Sequence, residues 1–379
     1  EVLAKTPSVS VAKALQANAA GVQVVSSSGA SQAEPTIRIR GIGSITASSE
    51  PLWVVDGVVG AVQPNINDIE TITVLKDAAS ASLYGSRAAN GVIVVTTKKG
   101  TPGKTVISYL GKQSYQWRTT NKFQMLNSGE FFQKSWEGLY NSRINGGYNA
   151  TESASYANAN VVRYAGKNPF NIANPISDDG SIKSDAKLML DEDWFDLAHR
   201  TGNVREHNLS ASGGNDLTRF YFSGTYYGLD AITKPDELQK LMGHINVTTQ
   251  VNKRIKTGYT ATFNYQNGNT VKDITNGSGT GYAAYAYPNN VPLYQIDENF
   301  NTVLDADGEP VWNWDNLVSK DYNPIAQTIL DPRSHRSSSI FNSVNLNWLI
   351  LNGLTFDTKV SGRISNYNSD EFRNPFHGD

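Results

Sequence analysis

The sequence predicts a membrane β protein, with a small mixed αβ domain ahead of the wall of an antiparallel transmembrane β-barrel. Three observations predict it. Seven segments beyond residue 104 alternate apolar and polar side chains for ten residues or more, longer than an average soluble strand and long enough to cross a bilayer at a tilt. The connections between them alternate strictly between short and long, as the turns and loops at the two ends of an outer-membrane barrel do. Ahead of them, residues 68–100 compress a strand, a helical turn and a second strand into one unit that reads as a gate.

Composition sets the outer limits. A chain of 379 residues allows two or three domains or one large barrel. Its net charge of −2 gives no electrostatic case for nucleic acid. The absence of cysteine excludes disulfide scaffolds, thiolate zinc sites and cysteine nucleophiles, and it suits an exported protein. Charged residues make up only 18%, while Gly, Tyr, Asn, Ser and Thr abound, a mix that favours β structure over a helical enzyme core. No apolar run approaches the roughly 18 residues of a membrane helix. Glu1-Val2-Leu3 opens directly into mature-looking sequence, with no signal peptide pattern. A membrane location therefore needs strands, which are only half apolar.

Taken in order, Val11–Ala20 predicts a short helix closed by Gly21, and Val22–Val25 a brief strand. Ser26–Gln32 is a polar turn. In Glu34–Gly41 apolar and basic residues alternate, which puts Arg38 and Arg40 on one face of a strand. A buried guanidinium without a partner is costly, so that face is either solvated or docked against carboxylates on a surrounding wall. Gly41–Ser49 reads as a loop and Pro51–Asp56 as an apolar strand closed by an Asp56-Gly57 turn. In the 68–100 unit, Ile72–Leu75 is a strand, Asp77–Tyr84 an Ala/Ser-rich helical turn, and Gly91–Lys98 the second strand. Its unbroken Val92-Ile93-Val94-Val95 run predicts burial on both faces.

No chemistry of catalysis stands out. The loop Gly41-Ile42-Gly43-Ser44 lacks the third glycine of a dinucleotide fingerprint and the Lys-Ser/Thr of a phosphate loop. The histidines at 199, 207, 244, 335 and 377 are scattered singly, without metal-ligand spacing. No acid–base pair or triad assembles, so an enzyme is not expected and no cofactor is implied.

The wall segments follow. In Thr105–Trp117, Ile107, Tyr109, Tyr115 and Trp117 oppose Ser108, Lys112, Ser114 and Gln116. The same dyad recurs in Arg219–Leu229, Arg254–Gln266, Ser338–Ile350 and Leu354–Tyr367, and more weakly in Val204–Gly213 and Met242–Val251. Short turns fall at 213–216, 252–253 and 352–353. A soluble all-β sandwich, the competing reading, has no reason to put every short turn at one end. In the long connections, Asn127 with Glu130 forms a helix-opening capping box, Asp193-Trp194-Phe195 opens a short helix, and Gly146–Asn160 is expected to be a mobile tip. The aromatics of Tyr282–Pro288 and Trp312-Asn313-Trp314 either stack on sugar rings or a partner, or pack the loop on itself.

Two stretches, IRIRGIGS with PLWVVDG and then DIETITVLKDAASASLYGSRAANGVIVVTTKKG, closely resemble the plug of SusC/RagA TonB-dependent transporters of Bacteroidetes. DWFDLAHRTGNVREHNLSASGG followed by TRFYFSGTYY resembles their barrel entry. The resemblance implies a plug domain at 1–104 inside a 22-stranded antiparallel transmembrane β-barrel, of which residues 105–379 supply only the first part. It implies TonB-driven import of oligosaccharide or peptide across the outer membrane, and a SusD-like surface lipoprotein as lid. The chain departs from the pattern in having no recognisable TonB box, so contact with the TonB complex is expected through a region missing here. Within this reading, Ser44, Ser48, Tyr84 and Arg87 are candidate cargo contacts, and Arg38 and Arg40 candidate plug–barrel contacts. A siderophore or cobalamin receptor without a lid and a non-transporting β-rich adhesin are the rival functions.

Overall fold

The structure is a computed structural model that describes residues 11–16, 19–25, 31, 34–39, 41, 49–77, 82–117, 125–270, 285–314 and 323–375. The N-terminal domain opens with helix α1 (Val11–Leu15) and an antiparallel pair, β1 (Val22–Val25) and β2 (Thr36–Ile39). Its main sheet has the order β4 (Val58–Val59), β3 (Leu52–Val55), β6 (Val92–Thr97), β5 (Ile69–Leu75). The predicted Asp56-Gly57 turn joins β3 to β4, and both residues have positive φ, 48° and 79°, as a two-residue hairpin whose twist matches its strands requires. Strands β3 and β6 run parallel, while β5 pairs with β6 antiparallel. Val92, Ile93 and Val95 are buried, because β6 has neighbours on both edges and cover on both faces. Burying each contributes about 2 kcal/mol. Between β5 and β6 the described residues hold a 3-10 turn at Ser82–Ala88, which overlaps the end of the predicted helical turn. Residues 78–81 of the expected turn lie outside the described residues.

All seven wall strands are present: β7 (Gly103–Gln116), β8 (Gly202–Gly214), β9 (Thr218–Asp230), β10 (Glu237–Gln250), β11 (Ile255–Thr270), β12 (Arg333–Leu351) and β13 (Leu354–Glu371). They form one antiparallel sheet in sequence order, with β7 and β13 at its edges. The sheet does not close into a barrel within the described residues. The register puts Tyr109, Leu209, Gly224, Gly243, Phe263, Ile340 and Ile364 in one row across it. The large members of that row are exposed, as are Ile107, Phe222, Val344 and Val360 on the same face. So wide an apolar surface is what a lipid-facing wall presents. Among the described residues no helix is long and apolar enough to cross a membrane, which says nothing about strands. The opposite face is polar and packs on the N-terminal domain, whose core takes in Phe341 of β12.

The chain crosses from domain to wall at Gly100. A Cβ there would lie 2.3 Å from the backbone nitrogen of Phe220 in β9, so no side chain fits. This fixes the Asp56–Thr97 end of the domain at the short-turn end of the wall.

The long connections at the other end carry their own structure. Helix α2 (Ser128–Asn145) starts at the predicted Asn127–Glu130 capping box. Helix α3 (Ala150–Ala165) occupies the stretch expected to be a mobile tip, and a second box, Asn149 with Glu152, starts it. Its buried Ala154, Ala157, Val161 and Ala165 recur at helical spacing and pack on Phe132 and Trp136 of α2. Helix α4 (Trp194–Ala198) starts at Asp193 as expected, and α5 (Pro324–Leu330) precedes β12. The loop aromatics pack on the loops themselves: Trp194 lies 4.6 Å from Tyr287, and Tyr294 4.6 Å from Trp312, ring centre to ring centre. Tyr282 lies outside the described residues. Asn290 donates to the carbonyls of Ala165 and Lys167, and Trp194 Nε1 to that of Val291, so two long connections form one cap.

Candidate functional site

The wall's inner face meets the domain through buried polar groups at three depths. In the middle, a 3-10 turn at Ile66–Asp68, capped by Asn65, presses against β8, β9 and β10. Asp68 is 1% exposed and accepts a 2.9 Å hydrogen bond from the Tyr221 hydroxyl. Burial pushes its carboxyl above the ordinary range, against the pull of Ser223, His244, Tyr221 and Lys98. Asn67 Nδ2 donates to Glu206 at 2.5 Å, and Glu206 also pairs with Lys112 of β7 at 3.2 Å. His244 Nε2 and Asn67 Oδ1 are buried there without hydrogen-bond partners among the described residues. A buried polar group left without a partner costs free energy that a matched pair does not.

At the short-turn end, Asp56 takes the Thr97 amide at 2.9 Å and its hydroxyl at 2.6 Å. Its carbonyl accepts from Lys359 of β13 at 2.5 Å; farther along β13, at the depth of His244 and Ser223, Arg363 donates to the Gly60 carbonyl. At the long-loop end, the Ser31 amide donates to Asp236 at 2.8 Å, and the Ser31 hydroxyl bonds its other oxygen. Burial raises the Asp236 carboxyl, and the Ser31 bonds oppose that.

Above the middle contact lies a cavity of about 470 Å³ between the domain and β11–β13. Ile37, Pro51 and Trp53 give it an apolar floor, and Glu34, Glu50, Asn264 and Arg363 polar edges. Asn264 spends Nδ2 on the Gln63 carbonyl at 3.1 Å and leaves a buried Oδ1 without a partner among the described residues. A concave site with an apolar floor and a few polar groups binds small solutes.

Of the residues predicted for function, Arg38 sits half-buried in β2, opposite Ile37 and Ile39, with its Nε buried and without a hydrogen-bond partner among the described residues. Tyr84 packs beside Val54, Ala88 and Val92, and Arg87 is exposed on the same 3-10 turn, at the long-loop end of the domain. Arg40, Ser44 and Ser48 lie outside the described residues. The structure brings together residues that sequence reasoning missed: Asn67, Asp68, Glu206, Tyr221, Ser31, Asp236 and Lys359. Charges at inner-face positions, Glu206 and Lys359 above all, are the signal that marks them. Among the described residues, no group of three or more His, Cys, Asp or Glu side chains is placed to hold a metal.

Comparisons with known proteins agree with this geometry. Residues 1–92 match the family described as the TonB-dependent Receptor Plug Domain. The fold and the match define the class, a plug joined to a barrel wall in a TonB-dependent receptor. Within that class the chain is SusC/RagA-like. It is 34% identical over 304 residues to TonB-dependent receptor P3 of Formosa agariphila, covering 78% of this chain and 26% of the relative. It is 27% identical over 357 residues to TonB-dependent receptor SusC of Bacteroides thetaiotaomicron, covering 88% and 31%. The RagAB peptide importer in its open-open state matches 100% of this chain and 41% of its own, with a TM-score of 0.73 at 24% identity, a likeness of fold. The chain thus spans about a third or less of the curated relatives described here.

Proposed function

We propose that residues 1–104 are the plug and 105–379 the first part of the 22-stranded wall of an outer-membrane transporter that imports oligosaccharide or peptide nutrients. The observation that carries this reading is the plug–wall contact. It is polar, buried and incompletely satisfied, the construction expected of an interface that must hold and then let go. Cargo enters from the long-loop side, where the 470 Å³ cavity, Tyr84 and Arg87 meet it, with Ser44 and Ser48 proposed as further cargo contacts. A SusD-like lipoprotein covers that side. TonB pulls on the plug from the short-turn side. Arg38 and Arg40 are proposed as further plug–wall contacts, held by charge-assisted bonds.

Uptake of labelled oligosaccharides and peptides by cells carrying the full transporter tests the reading. Deleting TonB should abolish uptake of the cargo. Uptake that persists without TonB would overturn it, and recovery of the protein in the soluble fraction would favour the adhesin.

A further inference from the structure

The plug–wall contact leaves a second cavity near the short turns, about 650 Å³ in volume, and its charge is distinctive. Arg219, Thr248, Gly258, Asn345 and Lys359 lie in direct register in one row across β9–β13. Lys256 sits two residues from Gly258 on the same face, and Lys99 closes in from the plug. Four cations thus face two carboxylates, Asp56 and Asp357. Both carboxylates are engaged, Asp56 by Thr97 and Asp357 by Asn347. Lys359 is bonded to the Asp56 carbonyl. The side chains of Lys99, Arg219 and Lys256 make no hydrogen bond or ion pair with any described residue. Strand spacing and rise put the Arg219 and Lys256 backbones about 12 Å apart, within reach of one multivalent anion. A concave surface of one sign, walled by protein, concentrates counter-ions more strongly than a flat one.

We propose that this cavity is a binding site for solutes bearing several carboxylate or sulfate groups, held on the way out past the plug. The proposal rests on the import reading and narrows its cargo to acidic oligosaccharides or acidic peptides. Neutral cargo gains nothing from three unmatched cations. An acidic one exchanges the water around them for charge-assisted bonds, with Asn246, Thr248 and Thr260 lining the same space.

The test is calorimetric titration of the full-length transporter in detergent with tetragalacturonate, tetraglutamate and neutral maltotetraose. At least one acidic probe should bind more tightly than maltotetraose and weaken as salt is raised. Which of the two binds identifies the source of the charge. The double variant Arg219→Gln, Lys256→Gln should weaken that binding about tenfold, at roughly threefold per exposed cation. The charge-preserving variant Arg219→Lys, Lys256→Arg should retain it, which separates charge from misfolding. Equal binding of all three probes, or an affinity unmoved by the double variant, would overturn the site. Either result leaves TonB-dependent uptake standing, since that is measured independently.

Discussion

Asp68 shows how one residue ties the plug to the wall. It lies 153 positions from Tyr221 in sequence, yet their side chains meet at 2.9 Å in a buried setting. Replacing Tyr221 with Phe keeps the ring and removes the donor, leaving a buried carboxylate short of one bond at a cost of about 1–3 kcal/mol. We expect Tyr221→Phe to loosen the plug and admit a large antibiotic that the intact outer membrane excludes. Unchanged sensitivity in cells with normal amounts of barrel would count against a holding role. No local pattern discloses this pair, since the two residues lie on separate elements 153 positions apart. Alternation assigns Tyr221 to the inner face, opposite Phe220 and Phe222, but the partner across the interface depends on the folded plug.

At the scale of the element, the sequence is most legible where one face is apolar and the other polar. All seven wall strands follow from that period of two, and even the weakly alternating β8 and β10 fall within a few residues of expectation. Helix α3 is the counter-case. Its Ala, Ser and Asn content hides it, because small residues pack against α2 without looking like a core, and only the Asn149–Glu152 box announces it. The cap that α2 and α3 build is pinned by Asp191, which accepts from the Ser128 amide at 2.9 Å and from Asn289 at 3.0 Å. Burial pushes its carboxyl up, but those bonds outweigh burial and hold it below the ordinary 3.8. A lowered carboxyl stabilises above its unfolded value and loses that contribution as pH falls through the folded one. Protection from hydrogen exchange at the first turn of α2, taken relative to the intrinsic rate at each pH, should therefore fall below pH 3.8. Asp191→Ala should show the same loosening at pH 7, worth about 1 kcal/mol for a solvent-screened site. Protection indifferent to both pH and substitution would remove Asp191 from the pinning role.

At the scale of the whole molecule, the plug meets the wall at three depths, through Asp68, Asp56 and Ser31. The wall and plug were readable in the chain because membrane strands and a buried parallel pair each impose a pattern. The seal was not, because it joins surfaces that only the fold brings together. Its outermost bond, from Ser31 to Asp236, offers the most direct test. This sequence has no cysteine, so Ser31→Cys with Asp236→Cys adds a thiol pair where the two side chains now touch. In the full transporter, oxidising that pair should block cargo uptake, and a reductant should restore it. Uptake at the wild-type rate with the disulfide closed would contradict the claim that the plug must part from the wall here.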